Sequence, residues 1–84
     1  MQMLINYSFS DYGSFKSAFD ADQEDRRNNG LSLLQLWRED SGSAWALFDL
    51  HDAKKARDYL DGAAAAFNSQ AGVSSVSSHT LETA

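Results

Sequence analysis

The sequence predicts an α+β domain whose elements run β-α-β-β-α-β along the chain. Three observations predict it. Segments 3–9, 31–38, 44–50 and 73–81 are rich in apolar, aromatic or hydroxyl residues and short enough for strands. Segments 12–28 and 53–67 carry their apolar residues at helical spacing. The polar, Gly-containing stretch Glu39–Ser43 joins the two middle strands directly, as a hairpin loop does.

In the first strand Met3, Ile5, Tyr7 and Phe9 share one face, with Leu4, Asn6 and Ser8 on the other. Ser10 and Asp11 offer side-chain oxygens to cap a helix. Tyr12, Phe15, Ala18 and Phe19 then form the apolar stripe of one amphipathic helix reaching about Asn28. Asp11 suits its positive end and Arg26-Arg27 its negative end, and Asn29-Gly30 closes it. The second strand places Leu33 and Trp37 on one face against Leu34 and Leu36. The third places Trp45 and Leu47 against Phe48 and Leu50.

Asp52 is a second helix cap, followed by Ala53, Ala56, Tyr59 and Leu60 along one side. Asp61-Gly62 breaks that helix before an alanine-rich continuation through Phe67, since alanine has the highest helix propensity. Gln70-Ala71-Gly72 ends it, and Val73–Leu81 is a Ser- and Thr-rich edge strand. The halves echo each other: Tyr7-Ser8-Phe9-Ser10-Asp11 parallels Phe48-Asp49-Leu50-His51-Asp52. Split βαβ units in this order imply a ferredoxin-like arrangement, a four-stranded antiparallel sheet with both helices on one face.

A chain of 84 residues is one domain, and so small a core is marginal alone. Cysteine is absent, which removes disulfides and thiolate sites. His51 and His79 lie far apart in the chain, so no metal cluster is expected. Association is the remaining route to stability. The strands also carry large apolar groups on both faces, while the helices cover one. A homodimer through the uncovered sheet face follows.

Seven basic against twelve acidic residues give a net charge of −5. The basic clusters Arg26-Arg27 and Lys54-Lys55-Arg57 sit among carboxylates, so neither nucleic acid nor anionic lipid is an expected partner. Asp20, Asp22, Glu24 and Asp25 read with Arg26 and Arg27 as a solvated helix face. No signal-like segment opens the chain and no apolar run reaches about 20 residues, so a cytoplasmic location is expected.

Several segments together resemble the dimeric α+β barrel superfamily, with its antibiotic-biosynthesis monooxygenase-like and stress-responsive barrel members. They are the helix opening Asp11-Tyr12…Phe15-Lys16…Phe19-Asp20, the exit Arg26-Arg27…Gly30, the strand Leu47-Phe48-Asp49-Leu50 entering Asp52-Ala53…Ala56, and the strand Ser78–Glu82. The resemblance spans essentially the whole chain. It implies two sheets facing across a two-fold axis, and an activity among cofactor-free oxygenases, heme degraders, isomerases or proteins without a reaction. Heme-degrading relatives carry an Asn on the first strand, a Trp on the third and a heme-ligating His on the second helix. Asn6 and Trp45 are similar in placement, but the stretch Asp52–Phe67 has no histidine, so no cofactor is expected.

Tyr7, Trp37, Trp45 and Tyr59 carry polar tips on apolar bodies and could line a ligand pocket, whereas Phe15, Phe19, Phe48 and Phe67 read as core. His79 is the acid–base candidate because an imidazole exchanges protons near neutrality. It shares a strand face with Val73, Ser75, Ser77 and Leu81, and Asn6 or Tyr7 could approach it from the first strand. The expected site is therefore His79 and Asn6 for chemistry, with Tyr7, Trp37, Trp45, Tyr59 and His79 around a small aromatic or apolar molecule. Two functions are expected: a cofactor-independent, monooxygenase-like enzyme or small-molecule binder, or a non-catalytic dimerising or ligand-sensing module.

Overall fold

The computed structural model describes residues 1–84 and contains four strands and four helices. They are β1 (Gln2–Phe9), α1 (Tyr12–Ala21), α2 (Gln23–Asn28), β2 (Leu31–Glu39), β3 (Ser43–Leu50), α3 (Ala53–Asp61), α4 (Ala64–Ala71) and β4 (Val73–Leu81). The strands form one antiparallel sheet in the order β2-β3-β1-β4. Each connection through helices thus skips one strand: β3 lies between β1 and β2, and β1 lies between β3 and β4. No helix is long and apolar enough to cross a membrane.

The caps fall where the carboxylates invite them. Asp11 Oδ2 accepts from the Ser14 amide at 2.9 Å and opens α1. Asp52 Oδ1 accepts from the Lys55 amide at 3.0 Å and opens α3. Gly72, at φ 69°, closes α4 in the left-handed conformation that glycine adopts without strain.

All four helices pack on the sheet face that bears Met3, Ile5, Tyr7 and Phe9 of β1 with Ala44, Ala46 and Phe48 of β3. The middle of this layer is aromatic. Tyr7 lies 5.2 Å from Phe15, 6.0 Å from Phe19 and 5.9 Å from Phe67 between ring centroids, which draws β1, α1 and α4 together. Phe9 stacks on Phe15 at 4.5 Å. Phe15, Phe19, Phe48, Ile5 and Leu31 are fully buried, each contributing about 1.5–3 kcal/mol by leaving water.

Four expectations are corrected. The single helix through Asn28 is two, α1 and α2, broken at Asp22. Arg26 accounts for the break. Its Nη2 donates to the Phe19 carbonyl at 2.6 Å, satisfying an oxygen that a continuous helix would have used. Arg26 is itself buried, at 2 % exposure, and is not part of a solvated face.

The third correction concerns β2. Pairing runs Leu33↔Phe48 and then Gln35↔Leu47, so Leu34 is an extra residue. Such a bulge reverses the alternation. Leu33 and Leu36 therefore pack against the core, while Gln35 and Trp37 face the other way. In β4 a similar shift at Ser74 pairs Val73 with Phe9 and packs it on the core. Val73 does not share the His79 face.

Candidate functional site

The sheet face without helices is built by alternation from Leu4, Asn6 and Ser8 of β1 and Trp45, Leu47 and Asp49 of β3. Gln35 and Trp37 of β2 and Ser75, Ser77, His79 and Leu81 of β4 complete it through their pairings. Trp37 lies directly opposite Trp45. Trp45 Nε1 donates to Glu39 Oε1 at 2.7 Å, which fixes the indole across the β2–β3 end of the sheet. Asn6 Nδ2 donates to Ser43 Oγ at 2.9 Å and to the Ala44 carbonyl at 3.2 Å. His79 pairs with Leu4, one pair removed on this face from Asn6↔Ser77, and is exposed. Although the chain is strongly acidic, charge is sparse here, confined to the carboxylates of Glu39 and Asp49.

The other candidate lies on the helix side. Between β4 and the α3–α4 pair is a cavity of about 230 Å³, lined among others by Tyr7, Arg26, Tyr59, Phe67 and Val76. Its inner wall holds a polar cluster. Tyr59 donates its hydroxyl proton to Asp22 Oδ2, which also receives Arg26 Nη1 at 3.4 Å. The Arg26 guanidinium sits 3.8 Å from the Phe19 ring centroid and within 6 Å of those of Phe67 and Phe48, a desolvated cation over aromatic faces. Its Nε is buried without a partner.

Tyr7 contributes a hydroxyl that makes no hydrogen bond within the protein, although the residue is only 4 % exposed. Burial pushes its phenol well above the usual range, opposed in part by the Arg26 charge. Burial likewise raises Tyr59, and the Asp22 carboxylate it donates to adds to the effect. Both phenols therefore stay protonated at any ordinary pH. A second cavity of about 270 Å³ adjoins the first along β4, with Met3, Arg57 and Thr80, and shares Leu60, Asp61 and Ser78 with it.

The sheet separates the residues expected to form one pocket. Tyr7 and Tyr59 line the helix-side cavity, while Trp37, Trp45 and His79 lie on the open face with Asn6. Even there His79 on β4 stands two strands away from Trp45 on β3. Tyr7 points away from His79, since it pairs with Val76 on the opposite face. Sequence reasoning missed Arg26 and Asp22. Phe15, Phe19, Asp22 and Arg26 recur at intervals of four, three and four, a single helical stripe that was the signal for an inward-facing Arg.

No family model matches the chain, and no curated protein is detectably similar to it. Among solved structures it is similar to the structured domain of Drosophila melanogaster Boca. The TM-score is 0.60 at 18 % identity, with 98 % of this chain and 100 % of that one covered. At this identity the likeness shows the fold: a small α+β domain with a four-stranded antiparallel sheet.

Proposed function

We propose that this protein is a dimerising module: a ferredoxin-like domain that stacks its open sheet face on that of a second copy, giving an α+β barrel. The observation that carries this reading is the open face itself. It pairs Trp37 with Trp45, adds Leu4, Leu47 and Leu81, and leaves Trp37 47 % exposed. Interface centres are depleted in charge and enriched in aromatics, and this face has that composition in an otherwise highly charged chain. The skipped-strand connections support the ferredoxin-like reading.

Area supports a second copy as the occupant. Four strands at about 4.8 Å spacing and about eight residues long present roughly 500 Å² in projection. Side-chain relief raises the accessible area toward the ~800 Å² per partner of a standard interface. A two-fold axis through the face would apply the same patch twice, and few like charges would meet.

Sedimentation equilibrium tests the proposal. The expected species has twice the 9.3 kDa chain mass, and Leu47→Lys, which puts a charge in the middle of the face, should return it to the chain mass. A wild-type protein that stays monomeric at high micromolar concentration would sink the reading.

The monooxygenase-like reading keeps one supporting observation: Asn6, Trp45 and His79 share the open face, which closure by a second copy would dry. In that case His79→Ala and Asn6→Ala should alter the binding of an aromatic probe to the dimer without dissociating it. Residues divided between the two faces give less support to one pocket of Tyr7, Trp37, Trp45, Tyr59 and His79.

A further inference from the structure

The cavity behind β4 reaches the Tyr7 hydroxyl, which makes no hydrogen bond within the protein. The Tyr59, Asp22 and Arg26 cluster beside it is mostly committed. The Tyr59 proton goes to Asp22, and the Arg26 terminal nitrogens go to Asp22 and the Phe19 carbonyl. What remains is the Tyr7 O–H and the unpartnered Arg26 Nε–H, beside the apolar side chains of Phe67, Leu31, Ala64 and Leu60, with Asn68, Ser78 and Asp61 completing the lining. Arg26 and Asp22 neutralise each other, and the unpaired carboxylate of the lining, Asp61, is on an exposed residue shared with the adjoining cavity. An ionic guest lying over Tyr7 would lose its hydration without gaining a counter-ion there.

Size narrows the guest further. An apolar cavity of about 150 Å³ holds one benzene. The 230 Å³ here allows one ring with a short substituent. The outer side also lacks cover. Val76 is 39 % exposed and lines the helix-side cavity. A guest lying over Tyr7 would bury Val76, and the adjoining cavity past Ser78 supplies a way in.

We infer that this chamber is a binding site for a neutral, one-ring apolar molecule carrying a carbonyl or ether oxygen that accepts a hydrogen bond from Tyr7. The site lies on the opposite side of the sheet from the proposed dimer surface, so either can fail without the other. Tyr7 stays protonated in this setting, as its burial requires, and remains a donor throughout.

Acetophenone and ethylbenzene are the probes, titrated into the full chain and followed by NMR. They match in size, and only the first has an acceptor. Acetophenone should give saturable shifts at Tyr7, Ala64, Phe67 and Val76, and should bind about tenfold more tightly than ethylbenzene, the worth of one hydrogen bond. Tyr7→Phe, which removes a hydroxyl with no protein partner, should erase that difference. Val76→Trp, on the exposed edge strand, should block both probes by filling the mouth. The inference is overturned if neither probe saturates below about 10 mM, if the shifts map elsewhere, or if wild type binds the two probes equally. The last comparison needs no variant, so a poorly folded mutant cannot rescue the idea.

Discussion

At the residue scale the chain's least expected feature is Arg26, a cation held in a cage of Phe19, Phe48 and Phe67. It does three things at once: it fills core volume, terminates α1 through the Phe19 carbonyl, and balances Asp22. Arg26→Ala should therefore cost about 3 kcal/mol or more, since it opens a void and strands a partly buried carboxylate. Urea unfolding at constant m-value would measure it, and a loss below about 1 kcal/mol would show the cage to be incidental. Tyr7 carries a pH consequence. Its pKa is raised in the folded state by burial. Below the unfolded value near 10 both states are protonated and nothing is lost. Above it the unfolded chain ionises and the folded one does not, so stability falls as pH rises, by up to about 1.4 kcal/mol per pH unit. Unfolding followed from pH 8 to 11 should show this decline, and Tyr7→Phe should flatten part of it.

At the scale of elements, Gly30 decides how α2 hands over to β2. Its φ is +88°, and a Cβ there would sit 2.4 Å from the Asp52 carbonyl oxygen. The Gly30 carbonyl also accepts from the His51 amide at 3.1 Å, so this glycine touches the start of α3. Gly30→Ala meets both the left-handed penalty and a backbone clash, and should destabilise by more than about 2 kcal/mol. Asp52→Ala, which removes only the α3 cap, should cost about 1 kcal/mol. Thermal denaturation of the two variants would rank them, and a milder Gly30→Ala would mean that the α3 start can shift. These elements were legible because their signals are local: Asp and Gly at helix ends, a polar loop between two strands, a Gly62 break in an alanine run. The bulge at Leu34 was not. Leucines at 33, 34 and 36 satisfy an apolar face in either register, and pairing with β3 alone selects one. That single step moved Trp37 away from Leu33, and the sheet then divided the expected pocket. Tyr7 and Tyr59 were legible as aromatics with polar tips, but Asp22 and Arg26 were lost among neighbouring charges. Whether an Arg faces water or a ring depends on what packs over its helix.

At the scale of the molecule, the small core sets how much the open face matters. Only 17 of 84 residues are buried, so folding rests on one aromatic layer, and cover for the second sheet face would add a comparable layer of burial. If two copies supply that cover, unfolding becomes concentration-dependent, because the folded dimer converts into two unfolded chains. A tenfold rise in concentration is worth about 1.4 kcal/mol per dimer. Dividing by an unfolding entropy of about 2.1 cal/mol/K per residue over both chains gives a Tm increase of about 4 °C. The net charge of −5 on each copy adds a second dependence: added salt should screen the repulsion and raise Tm further at fixed concentration. Leu47→Lys should remove the concentration term, leaving a lower Tm that no longer moves with protein. Calorimetry at three concentrations checks this. A wild-type Tm that stays fixed would mean that the tryptophan pair faces water in the folded protein, and the stability of the domain would then have to come from the helix-side layer alone.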